Sequence, residues 1–154
     1  MGGMDLEALR HMHTPADYRD LAADQGVGAD VLRHLAQCPY SFVWQVLATN
    51  PSTPVDVLGE LCSKRDSPWN DGRLLLLIAE HPKADRAVLL GVLGEVEARL
   101  RTSVSRPFAA VLALAGRPEL TPEEVQGLAA LPGASARMRR GLRHRLAERN
   151  TAVR

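Results

Sequence analysis

The motif Leu/Ile-Ala-x-x-Pro occurs five times in this chain, at Leu35–Pro39, Leu47–Pro51, Ile78–Pro82, Leu114–Pro118 and Leu128–Pro132, and each copy closes an apolar stretch. Proline cannot continue a helix and disfavours helical geometry in the residue before it, so each copy is a stop signal set at a fixed distance from a packed pair. Starts are marked too. Thr14-Pro15, Thr53-Pro54 and Thr121-Pro122 place a capping hydroxyl before a proline at the first helical position, where its missing N–H costs nothing. This grammar predicts helices over 5–12, 15–23, 29–37, 40–49, 54–63, 69–80, 84–102, 107–116, 122–131 and 135–148. The alternating stretch Glu95–Arg101 is also expected to be helical, because Glu95 with Arg99 and Glu97 with Arg101 form i,i+4 pairs in the favourable order. Nothing reads as a sheet. Short connections make successive helices antiparallel or steeply crossed neighbours, and each pair is too small to bury its own apolar face. Stacking solves that problem, so the expected class is all-α, an α-solenoid of stacked antiparallel helix pairs.

The chain has 154 residues, 45% hydrophobic and 24% charged, which suits one folded domain and excludes a disordered tail. No apolar run approaches the ~20 residues of a spanning helix, and the N-terminus lacks the pattern of a secretion signal, so the expected address is the cytoplasm, without a membrane. Cys38 and Cys62 are too few for a four-thiolate metal site and are expected to be small buried hydrophobes.

The formal charge of +1 argues against a general nucleic-acid binder, but its distribution is uneven. Residues 1–30 carry six acidic residues against two arginines, whereas 137–154 carry seven arginines, Arg137, Arg139, Arg140, Arg143, Arg145, Arg149 and Arg154, against Glu148 alone. The expected organisation of the single domain, 1–154, is therefore acidic N-terminal cap helices in 1–30, degenerate helical repeats in 31–132 and a basic C-terminal cap helix in 133–154. That last helix has Ser135 as its cap and Met138, Leu142 and Leu146 as a narrow docking stripe.

One segment resembles a known family. Leu35-Ala36-Gln37-Cys38-Pro39, Val43, Leu47-Ala48-Thr49-Asn50-Pro51-Ser52-Thr53-Pro54, Val57-Leu58 and Leu61 are similar to one unit of the leucine-rich repeat variant, a bacterial helical repeat related in architecture to HEAT-type solenoids. Later units are stretched, with 31 residues from Ala48 to Ala79 and 36 from Ala79 to Ala115. The resemblance spans 15–132 and implies a curved helical stack with a binding role and no catalytic residues. Where the family commonly has arginine after the first helix valine, this chain has Trp44, Leu75 and Val111, with Leu76 and Leu112 beside them where the first unit has Gln45. Trp44, Leu75 and Val111 are either core on helices apolar all round or an apolar ladder lining a groove for a partner helix or a small hydrophobic ligand.

Signals for chemistry are few. His11 and His13 sit at a helix end with only Asp17 near, and His34, His81 and His144 have no acid or nucleophile placed beside them in sequence. Gly26-Val27-Gly28 is a turn between helices, since no strand precedes it, and Glu123 and Glu124 stand in a first turn, where the helix dipole favours carboxylates. No catalytic, cofactor-binding or metal-binding residue is expected. The function expected is a non-catalytic scaffold that binds a protein or peptide through Trp44, Leu75 and Val111 or through Arg137, Arg139, Arg140, Arg143 and Arg145. The alternatives are a HEAT-like nucleic-acid binder using the C-terminal arginines, head-to-tail self-association with the acidic N-terminal region of another copy, and an enzyme of unrecognised class.

Overall fold

In the computed structural model, residues 14–102 and 107–152 are described, and among them every regular element is helical. We number them α1 (Pro15–Ala23), α2 (Ala29–Leu35), α3 (Ser41–Thr49), α4 (Val55–Leu61), α5 (Pro68–Glu80), α6 (Arg86–Thr102), α7 (Phe108–Ala115), α8 (Pro122–Gln126) and α9 (Ala136–Ala152). A 3₁₀ turn, Gly127–Ala130, continues α8. The helix expected over 5–12, like His11, His13 and the acidic residues before Thr14, lies outside the described residues.

Local chemistry sets most ends. Thr14 and Thr121 form capping boxes with Asp17 and Glu124, each followed by proline at the first helical position. Thr53 departs from the expected cap. Its hydroxyl is fully buried and donates to the Leu47 carbonyl at 2.6 Å, so it closes α3 while Pro54 precedes α4. The hydroxyl finds an orphan carbonyl at the end of the preceding helix before it finds an amide of the next. The expected Glu95–Arg99 pair also fails to form. Arg65 takes Glu95 and Asp71 takes Arg99, while Glu97–Arg101 pairs as the spacing requires.

Alternate helices pack directly on one another: α1 on α3, α3 on α5, α5 on α7 and α7 on α9. The helices ending at Leu47-Ala48, Ile78-Ala79 and Leu114-Ala115 are thus neighbours in chain order. The intervening helices α2, α4, α6 and α8 lie against the members of that series that flank them, and α4 also touches α6. One apolar core runs through the assembly. Leu32, Leu35, Leu47, Leu58, Leu75, Ile78, Leu89, Leu114 and Leu142 are among its fully enclosed side chains, each contributing roughly 1.5–3 kcal/mol by leaving water.

The residue before proline in three Leu/Ile-Ala-x-x-Pro copies ties each helix of the series to the one before it. Asn50 donates through Nδ2 to the carbonyls of Ala22 (2.8 Å) and Asp24 (3.1 Å) at the end of α1. His81 Nε2 meets the Asn50 carbonyl at 2.8 Å, at the end of α3. Arg117 donates to the carbonyls of His81 (3.0 Å) and Ala84 (2.7 Å), beyond α5. Arg149 of α9 repeats the contact on α7, donating to the carbonyls of Ala115 and Leu120. Carbonyls at a helix end lack intrahelical partners, and here the next helix in the series supplies the donor. Between the intervening helices the links are exposed ion pairs, Arg33–Asp56 between α2 and α4 and Arg86–Glu124 between α6 and α8.

Gly133 makes the tightest turn contact. Its N–H donates to the Leu100 carbonyl at 2.7 Å, and a Cβ there would lie 2.6 Å from the same oxygen. No other residue type allows α9 to start so close to α6.

Candidate functional site

The register expected to form a ladder is interior. Trp44 is 7% exposed, Leu75 1% and Val111 fully enclosed. The Trp44 indole N–H donates to the Cys38 carbonyl at 2.9 Å, the polar partner that a buried indole requires, and the Lys64 ammonium lies 5.6 Å from the ring centroid. These three residues are core and offer no surface to a partner.

The open surface lies one residue further along each helix. Gln45, Leu76 and Leu112 are half-buried. Leu76 of α5 and Leu112 of α7 line a hollow of about 400 Å³ together with Ala79, Glu80, Ala109, Ala113, Gly116, Arg117 and Arg145. Ala109 and Gly116 keep its α7 wall low, and α9 closes the far side where Gly141 packs on Leu112: a Cβ at Gly141 would lie 3.2 Å from Leu112 Cδ2 and 3.3 Å from Phe108 Cζ. Sequence periodicity places an apolar stripe on each helix but does not locate the edge of the core, so it chose the neighbouring register.

The C-terminal arginines do not form one patch. Met138, Leu142 and Leu146 are buried as expected, and the helix runs on to Ala152, past the expected end at 148. Arg137 and Arg145 fall on the α7 side, with the Arg137 guanidinium 5.9 Å from the Phe108 ring centroid and Arg145 over Gly116. Arg139 and Arg143 line a separate hollow of about 250 Å³ with Gln126, Ala129, Leu142 and Leu146, and Arg139 donates to the Ala134 carbonyl at 2.8 Å. Arg140 is exposed on the opposite side of α9 from that stripe. Arg149, which the composition placed with the others, is spent on the end of α7.

The titratable groups inside are structural. His81, 2% exposed, accepts from the Lys83 N–H through Nδ1 (3.0 Å) while Nε2 meets the Asn50 carbonyl, so both ring nitrogens serve the neutral Nε2–H tautomer. Burial holds its pKa below the usual histidine value, and the positive charges of Lys83 and Arg117 act in the same direction. Burial, with Glu95 adding to it, pushes the Cys62 thiol up to about 11, which suppresses the thiolate. Cys38 is half-buried and His34 is exposed; His144 is also exposed and lies 3.1 Å from Glu148. Glu124 is held down to about 2 by the bidentate Arg86 guanidinium and by the Thr121 N–H, consistent with its capping role. Among the described residues no group of three His, Cys, Asp or Glu side chains could hold a metal ion, and no helix is long and apolar enough to cross a membrane.

No family model, no curated protein and no solved structure matches this chain.

Proposed function

We propose that the chain is a non-catalytic binding scaffold, an α-solenoid of the leucine-rich-repeat-variant or HEAT type, that takes a protein or peptide segment on the surface made by α5, α7 and α9. The observation that carries the reading is the hollow floored by Leu76 and Leu112. Its floor, Leu76 on α5 and Leu112 on α7, is left half-open among the charged rim of Glu80, Arg117 and Arg145 while the adjacent register is sealed. The solenoid reading draws on the packing order of α1, α3, α5, α7 and α9 and on the recurring capture of each helix end by the next helix. A second reading, nucleic-acid binding, draws on the exposed arginines of α9, of which Arg140, Arg143 and Arg145 have no partner among the described residues.

The molecule itself supplies the variant that tests the first reading. Gln45 occupies the equivalent place on α3, so Leu76→Gln with Leu112→Gln gives the hollow the polar character of α3 with side chains of similar volume. Random peptides displayed on phage should yield binders to the native protein that fail on this double variant. Binders that ignore the substitutions, or none at all, would overturn the reading. Retention of a DNA duplex, weakening steeply with salt and lost in Arg140→Gln with Arg143→Gln, would establish the second.

A further inference from the structure

The seam between α7 and α9 carries two guanidiniums on either side of one leucine. Arg137, Gly141 and Arg145 follow one another at i, i+4 and i+8 on α9, so the two arginine Cα atoms stand about 12 Å apart along the axis. Between them Gly141 packs on Leu112, whose half-buried side chain lines the hollow. Arg145 makes no hydrogen bond or ion pair among the described residues, and Arg137 makes only its contact with the Phe108 ring. Arg73, exposed and equally unpaired, precedes Leu76 by three residues on α5 and so belongs to the same helix face. Glu80 is an unpaired carboxylate in the lining, and Arg117 is committed to Glu119 and to two carbonyls. The α9 side of the hollow therefore carries the unpaired guanidinium of Arg145 with Arg137 beside it, whereas the α5 side carries both signs, Arg73 and Glu80.

From this we infer the class of occupant: an acidic amphipathic helical segment, with carboxylates seven or eight residues apart, roughly 10–12 Å, and an apolar side chain midway between them. The apolar residue meets Leu76 and Leu112, and the two carboxylates reach Arg137 and Arg145. The inference rests on the scaffold reading above and adds the charge and spacing of the partner. A basic segment would leave both guanidiniums opposed by like charge, and a neutral one would leave them unpaired at the rim of an apolar contact.

The test uses the full chain and the random-peptide library displayed on phage. Peptides that need Leu76 and Leu112 should be enriched in Asp or Glu at the stated spacing around Leu, Ile or Phe. Against Arg137→Glu with Arg145→Glu the selection should turn to Lys and Arg at those positions, and acidic peptides should bind roughly 10-fold more weakly or worse. Arg140→Glu is the control, because it changes net charge on the same helix away from the hollow and should leave the selection as it was. The urea midpoint of each variant verifies the fold. Peptides that depend on the leucines but are neutral or basic overturn the inference and leave the scaffold reading standing. Acidic peptides lost equally in Arg140→Glu also overturn it, since net charge then explains them. Absence of any peptide that depends on the leucines overturns the scaffold reading itself.

Discussion

Two registers one residue apart run across the same three helices and have opposite fates. Trp44, Leu75 and Val111 are sealed, whereas Gln45, Leu76 and Leu112 are half-open. A step of one residue turns a side chain by about 100°, enough to carry it from the middle of a helix's buried face to its border. At the border burial is only partial, and α3 has glutamine there, donating to the Asn70 side chain of α5. Leu76 packs one side on the core and Leu112 packs on Gly141 of α9; the part of each that stays open toward the hollow is the physical basis for proposing this strip as a surface for a partner.

The largest effect separating the registers is a core truncation. Leu75→Ala should cost roughly 2–5 kcal/mol in urea unfolding, because a fully packed side chain leaves a cavity behind. A loss near zero would move Leu75 to the surface and erase the contrast. Gly133→Ala is expected to follow at about 1–3 kcal/mol, measured the same way, since its Cβ meets the Leu100 carbonyl and α9 must shift away from α6.

Protonation of His81 comes next. Its folded pKa is depressed, so the unfolded chain takes up a proton that the folded chain refuses. The stability this confers is complete above the unfolded value of about 6.5 and declines as pH falls through it toward the folded value, at up to about 1.4 kcal/mol per pH unit. Urea midpoints of the native chain and His81→Gln at several pH values isolate this slope, because the two chains differ only at that position. Equal slopes would remove His81 from the account. The smallest effect belongs to the exposed links: Asp56→Asn, which leaves Arg33 only its Asp30 partner, should change stability by no more than about 1 kcal/mol in the same assay.

The fold was largely legible because its punctuation is local. Proline after each Leu/Ile-Ala pair and threonine before proline are decided within a few residues, and α1 starts where the Thr14-Pro15 signal puts it. What escaped depends on distant groups. Thr53 looks like a cap in sequence and is turned inward by a carbonyl six residues back. Glu95 and Arg99 stand at ideal spacing, yet Arg65 and Asp71 from other parts of the chain take them. Asn50, His81 and Arg117 carried a signal, being the three polar residues before proline in copies that close α3, α5 and α7, but their chemical types differ and only the neighbouring helix end shows their common task. The hollow was missed by one register for the reason that separates the two rows: hydrophobicity marks both and burial distinguishes them.

The most direct test of the central claim combines binding and folding in one variant. For a peptide selected on the native protein, fluorescence anisotropy should show Leu76→Gln with Leu112→Gln weakening binding by roughly 10-fold or more, through loss of two apolar contacts. The urea midpoint should stay close to native and far above that of Leu75→Ala. Unchanged affinity would show that the strip is not a docking surface, and a midpoint that falls as far as that of Leu75→Ala would place Leu76 and Leu112 in the core.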